Sequence, residues 1–99
     1  MAYSLVISKL ADADLDEIVS YLAVKLENKQ AAADFLDSVQ QKYTHIQEQP
    51  LMFSLSDNLR LRNLGYRKVV IGNYVMLYRV FEKNRKFLLR VFLWKTRLS

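Results

Sequence analysis

A chain of 99 residues, 52% hydrophobic and 25% charged, suits one folded domain over residues 1–99 and leaves no room for a second core. Cysteine is absent and His45 is the single histidine, which excludes disulfides and thiolate metal sites, argues against a Ser-His triad and gives no sign of a metal or cofactor. The formal charge of +5 points to polyanionic or acidic partners.

No apolar run nears the ~20 residues of a membrane span, and the first residues carry no secretory pattern, so a cytoplasmic protein without a membrane partner is expected. Residues 3–8 read as a short strand rich in β-branched side chains. From Asp12 the period changes. Leu15, Ile18, Val19, Leu22 and Leu26 mark one face of a helix, with Asp12, Asp14, Asp16 and Glu17 crowding its first turns. Asn28 can cap a second helix running from about Lys29 to Gln49. Its stripe is Phe35, Leu36, Val39, Tyr43 and Ile46, and Pro50 ends it. The two helices form an αα-hairpin. His45 lies on the second of them and is expected to pack or face solvent.

Residues 50–58 read as a loop with apolar anchors. Leu59-Arg60-Leu61-Arg62 then alternates with period two. Tyr66–Ile71, Tyr74–Phe81 and Phe87–Trp94 read as three strands, joined by a tight Gly72-Asn73 turn and a polar connection over residues 82–86. The order β-α-α-β-β-β describes an α+β domain, with a helical hairpin on one face of a largely antiparallel sheet.

Charge is unevenly spread along this order. Nine acidic residues precede residue 58 and Glu82 alone follows, whereas seven arginines occupy positions 60, 62, 67, 79, 85, 90 and 97. The basic half either meets a polyanionic or acidic partner or keeps the sheet soluble and its edges unpaired.

Pairing Ile71 with Tyr74 sets Val69 opposite Met76 and Lys68 opposite Leu77. Pairing Val80 with Leu89 sets Tyr78 opposite Val91, Arg79 opposite Arg90, Leu77 opposite Phe92 and Val75 opposite Trp94. One face then carries Val69, Ile71, Met76, Tyr78, Val80, Leu89 and Val91, suited to the helices. The other carries Tyr66, Lys68, Val75, Leu77, Arg79, Arg90, Phe92 and Trp94, an apolar patch rimmed by cations that suits a partner. A register one residue different would separate the two arginines and rearrange both faces.

Several segments carry a family resemblance. Asp14-Leu15-Asp16-Glu17-Ile18-Val19-Ser20-Tyr21-Leu22 resembles the opening of ParE-like toxins, and Ala33-Asp34-Phe35-Leu36 their second-helix start. Gly72-Asn73-Tyr74-Val75-Met76-Leu77-Tyr78-Arg79-Val80, preceded by Leu64-Gly65-Tyr66-Arg67-Lys68, is similar to their hairpin signature, and Leu88-Leu89-Arg90-Val91 to the strand that follows. On these segments, in this order, the chain resembles the RelE/ParE superfamily of toxins from type II toxin–antitoxin systems.

The resemblance implies a β-αα-βββ fold, a growth-arresting toxin and a hetero-oligomer with a tightly bound cognate antitoxin. It leaves two targets: DNA gyrase, poisoned without catalysis by ParE-like members, or messenger RNA, cut in the ribosomal A site by RelE-like members. In the RelE nuclease an arginine follows the tyrosine that opens the hairpin's second strand; here that position is Val75. The lysine expected in the preceding strand falls at Val69, Arg67 matches another basic site, and the basic, tyrosine-containing tail of the nucleases is not found after Trp94. These departures tilt the expectation toward gyrase. A nuclease would draw on Arg60, Arg62, Arg67, Lys68, Arg79 and Arg90 to hold phosphates and stabilise charge. An acidic antitoxin segment is expected over Tyr66, Lys68, Leu77, Arg79, Arg90, Phe92 and Trp94, or in the groove between the hairpin and the sheet.

Overall fold

The computed structural model describes residues 3–94, with side chains described as far as Leu89. The first strand, β1 (Ser4–Ile7), leads directly into helix α1 (Lys9–Ser20). α1 begins a turn earlier than Asp12 because Ser8 caps it: the Ser8 Oγ accepts the Ala11 N–H at 3.0 Å, a contact worth about 1 kcal/mol. The chain then widens into a π-helical turn over Tyr21–Lys25, where the Leu26 N–H donates to the Tyr21 carbonyl at 3.0 Å. That extra residue rotates the stripe. Ile18 is buried and Leu15, Val19 and Leu22 pack on the core, but Leu26 is left exposed.

Helix α2 (Lys29–Glu48) starts where Asn28 Oδ1 accepts the Ala31 N–H at 2.9 Å. It buries Phe35, Val39, Tyr43 and Ile46, while Leu36 faces outward. Pro50, two residues beyond its end, is buried, and its carbonyl accepts a hydrogen bond from the Tyr78 hydroxyl at 2.8 Å.

The period-two run at 59–62 is not extended. Leu59–Asn63 form a short helix, α3, because Asn58 caps it: its Oδ1 accepts the Leu61 N–H. Four residues cannot distinguish period two from the first turn of a capped helix. Strands β2 (Tyr66–Ile71), β3 (Tyr74–Phe81) and β4 (Lys86–Trp94) follow, and the sheet order is β1-β4-β3-β2. β1 runs parallel to β4, and the other pairs are antiparallel.

The first hairpin has the expected register, with Ile71 opposite Tyr74, Val69 opposite Met76 and Lys68 opposite Leu77. The second does not. Val80 lies opposite Phe87, Arg79 opposite Leu88 and Tyr78 opposite Leu89; Leu77 then lies opposite Val91, Met76 opposite Phe92, Val75 opposite Leu93 and Tyr74 opposite Trp94. Two features cause the difference. The connection is shorter than 82–86, since a 3-10 turn (Glu82–Asn84) and Arg85 in the left-handed region (φ 50°) bring Lys86 opposite Phe81. A β-bulge then inserts Arg90 between the Leu89 and Val91 rungs. Arg79 and Arg90 are therefore not a cross-strand pair.

One face of the sheet carries Val69, Ile71, Tyr74, Met76, Tyr78, Phe87 and Leu89, all buried against the hairpin helices, with Val80 packed beside them. Aromatic rings tie this layer together. Phe35 meets Tyr74 edge-on at 5.3 Å between centroids, and Tyr78 meets Phe87 at 6.1 Å.

Candidate partner-binding face

The opposite face of the sheet is built from cross-strand rungs. Val6, Leu88, Arg79 and Tyr66 follow one another across all four strands; Ser4, Lys86 and Phe81 form the neighbouring rung. Lys68 and Leu77 share a rung nearer the first hairpin turn. Residues in register point to the same side of a pleated sheet, so this face joins an apolar row to a set of cations.

It is not bare. Val75 and Leu77 are buried, and Leu61 of α3 packs against both. Tyr66 is also buried. Of the residues expected to meet a partner, Tyr66 and Leu77 therefore offer almost no surface to one. The reason is α3: a five-residue helix lays one leucine over the apolar row that a strand at 59–62 would have left open.

The cations divide into two kinds. Arg67 projects to the helix side, where its Nη1 donates to the Phe53 carbonyl at 2.6 Å and lies 3.5 Å from the Leu51 carbonyl. It holds down the loop after α2. The same loop pairs with the β2 edge: the Ser56 N–H donates to the Tyr66 carbonyl at 2.8 Å and the Lys68 N–H to the Ser54 carbonyl at 3.0 Å. Lys68 is ion-paired with Asp57 of that loop. Burial pushes the Tyr78 hydroxyl up to about 12, opposed by the nearby Arg67 charge and a backbone hydrogen bond at Phe53.

The second kind is available. Arg60 and Arg62 are exposed on α3 and form no ion pair among the described residues. Arg79 is half-buried with its guanidinium carbon 5.2 Å from the Phe81 ring centroid. The side chains of Arg90, Phe92 and Trp94 lie outside the described residues.

The groove beside the hairpin also exists. A recess of about 220 Å³ between α1 and the sheet is lined by Glu17, Ile18, Tyr21 and Tyr74. Burial, and then the nearby Tyr21, raise the Tyr74 hydroxyl above its ordinary value. Glu17 makes this groove a poorer seat for an acidic segment than the cationic sheet face. Among the described residues no group of three or more His, Asp or Glu side chains could hold a metal ion, and no helix is long and apolar enough to cross a membrane. His45 is exposed on α2. Sequence reasoning missed Val6, Leu61 and Phe81. Their apolar character was visible, but their faces depended on the helix at 59–63 and on the hairpin closure at Lys86.

A helical hairpin laid over one face of a mixed four-stranded sheet is the architecture of RelE/ParE-type toxins. Residues 5–94 match the family described as ParE toxin of type II toxin–antitoxin system, parDE, and the chain belongs to that family. Among solved structures it is similar to a chain of the chromosomal ParDE toxin–antitoxin system from P. aeruginosa, with a TM-score of 0.71 and 17% identity over 94% of this chain and 96% of that one. It is also similar to a chain of the RelBE2 toxin–antitoxin complex from Mycobacterium tuberculosis, with a TM-score of 0.67 and 16% identity over 95% and 99%. No curated protein matches it in sequence.

Proposed function

We propose that this chain arrests growth by binding DNA gyrase, without catalysis, and that a cognate antitoxin neutralises it. The two similar structures come from a ParDE system and a RelBE2 complex, which supports an antitoxin partner. The choice between targets rests on Val75. It stands where the resemblance places an arginine in the RelE nuclease, and it is buried beneath Leu61. A cation cannot be presented to a scissile phosphate from a sealed apolar position. Arg67 and Lys68 are occupied by the loop over residues 51–57. The remaining cations suit a binding surface. The antitoxin's acidic segment is assigned to the sheet face around Arg79; Phe92 and Trp94, in register with Met76 and Tyr74 of the helix-side face, are left out of it.

Purified chain, freed of antitoxin, is assayed in parallel for gyrase supercoiling and for ribosome-dependent cleavage of a short message. The expected outcome is gyrase inhibition with accumulated double-strand breaks and intact message. Codon-phased truncation of the message with gyrase unaffected would overturn the assignment in favour of the nuclease. Arg79→Glu is expected to weaken antitoxin binding by at least tenfold, about 1.4 kcal/mol, with unchanged circular dichroism. Unchanged affinity would remove Arg79 from the docking surface.

A further inference from the structure

At the outer corner of the sheet, where β1, β4 and the end of β3 meet, a recess of about 270 Å³ is lined by Val6, Phe81, Asn84, Lys86 and Leu88. We propose that this recess is a socket for a single large apolar side chain carried on an acidic peptide segment of a partner protein. The inference rests on the reading that the sheet face meets an acidic partner, and it names where that partner is anchored.

The floor is apolar by register. Val6 and Leu88 are cross-strand neighbours, and Phe81 lies one rung away beside Lys86. Val6 is 42% exposed and Phe81 37%, although both belong to strands. Neither belongs to an apolar cluster among the described residues, whereas the equivalent row farther along the same face, Val75 and Leu77, is sealed by Leu61. The contrast is internal to one sheet face: one end is closed by the chain itself and the other is left open.

The rim is cationic. Arg79 continues the Val6–Leu88 rung and stacks over Phe81, which holds its guanidinium at the edge of the recess. Lys86 lines the wall, and the turn that closes the corner adds Lys83 and Arg85 against Glu82 alone. A cationic rim selects carboxylates by charge complementarity. An apolar floor of Val6, Phe81 and Leu88 selects against a nucleic-acid backbone, which would cover it with phosphates and leave its apolar area unmatched. A peptide with carboxylates flanking one leucine or phenylalanine satisfies both.

The test uses the full chain and a fluorescent synthetic dodecapeptide of glutamate and serine with one central leucine. Its controls are the same peptide with the leucine replaced by serine and a dodecamer of oligothymidylate. Binding is followed by anisotropy and falls as salt rises. The leucine peptide is expected to bind at least about tenfold more tightly than either control. The double variant Val6→Ser/Phe81→Ser, checked by circular dichroism and thermal melting, is expected to lose that tenfold preference while still attracting the serine peptide. Arg79→Gln is expected to weaken both peptides. If the double variant binds the leucine peptide as well as the native chain while Arg79→Gln does not, the socket is wrong and the acidic-partner reading stands. If neither substitution matters, or the oligothymidylate binds as tightly, both fall. Should the double variant fail to fold, methyl chemical-shift mapping on the native chain decides the question: shifts at Val6 and Leu88 support the socket, and shifts confined elsewhere refute it.

Discussion

Arg67 invites two incompatible roles, and replacing it separates them. By its match to a basic position of the family it is a candidate for contact with nucleic acid. In the structure its guanidinium donates at 2.6 Å to the Phe53 carbonyl, and the nearby Leu51 carbonyl at 3.5 Å adds little. A hydrogen bond to a charged group is worth about 1.5–3 kcal/mol, and its loss leaves a partly buried carbonyl without its donor. Arg67→Met keeps most of the side-chain length and removes the donor, so a cost of about 2 kcal/mol is expected. For a domain of this size that corresponds to a fall of roughly 8–16 °C in Tm. Arg67→Lys should restore part of it, as a point donor that reaches one carbonyl. The loosened loop has a local signature: the Ser56 and Lys68 amides, which pair the loop to the edge of β2, should exchange faster than the amides of β3. A variant that melts like the native chain, keeps those amides protected and yet has lost toxicity would refute the reasoning and return Arg67 to the functional surface.

Four other substitutions or conditions probe the fold. Glu27 has φ 49°, so Glu27→Gly should relieve left-handed strain and raise stability by about 0.5–1 kcal/mol, read as a higher urea midpoint. Leu61→Ser should uncover Val75 and Leu77, costing about 1–2 kcal/mol and raising the binding of a hydrophobic dye above that of the native chain. Burial, with a smaller contribution from Asp12, pushes Tyr43 up to about 12, and burial does the same to Tyr78. A phenol whose value is raised on folding favours the folded state while neutral. The stability linked to it is complete below about pH 10 and declines from there through about pH 12, by roughly 2–3 kcal/mol per tyrosine. The Tyr43 hydroxyl is buried without a hydrogen-bond partner among the described residues. Tyr43→Phe should therefore be nearly neutral at pH 7 and should flatten the alkaline decline, as measured by denaturant melts at pH 9 and 11.5.

What could be read in the sequence was what local chemistry decides. Asn28 before Lys29 and Pro50 after Gln49 bracket α2 because capping and ring sterics act within a few residues. Gly72-Asn73 fixes the first hairpin, so Tyr66–Ile71 and Tyr74–Phe81 and their pairing follow from the turn alone. The second hairpin was opaque for a different reason. Tyr74, Val75, Met76, Leu77 and Tyr78 are all buried, on both faces of a central strand. Where both faces are covered, alternation carries no information about which side chain points where. Leu88 through Trp94 is nearly as apolar, so a one-residue bulge at Arg90 leaves no trace in the pattern. α3 escaped because its cap, Asn58, sits in a stretch that also reads as loop, and its alternating Leu-Arg pairs imitate a strand.

The closure of the second hairpin and α3 together decide what a partner can meet. The expected register would have set Arg79 against Arg90, two like charges whose repulsion only a partner could relieve. The tighter closure, with Lys86 opposite Phe81, sets Leu88 against Arg79 instead, and Arg79 gains a neighbour ring in Phe81. Its charge is already tolerated by the folded chain, so a partner meets a preorganised cation and need not rescue a strained one. α3 removes Val75 and Leu77 from competition for that partner, and loop 51–57 removes Arg67 and Lys68. Among the described residues, Arg60 and Arg62 on α3 stand apart from the cations of the open corner, Arg79, Lys83, Arg85 and Lys86. Separated charges of one sign steer and orient an acidic surface over a broad area.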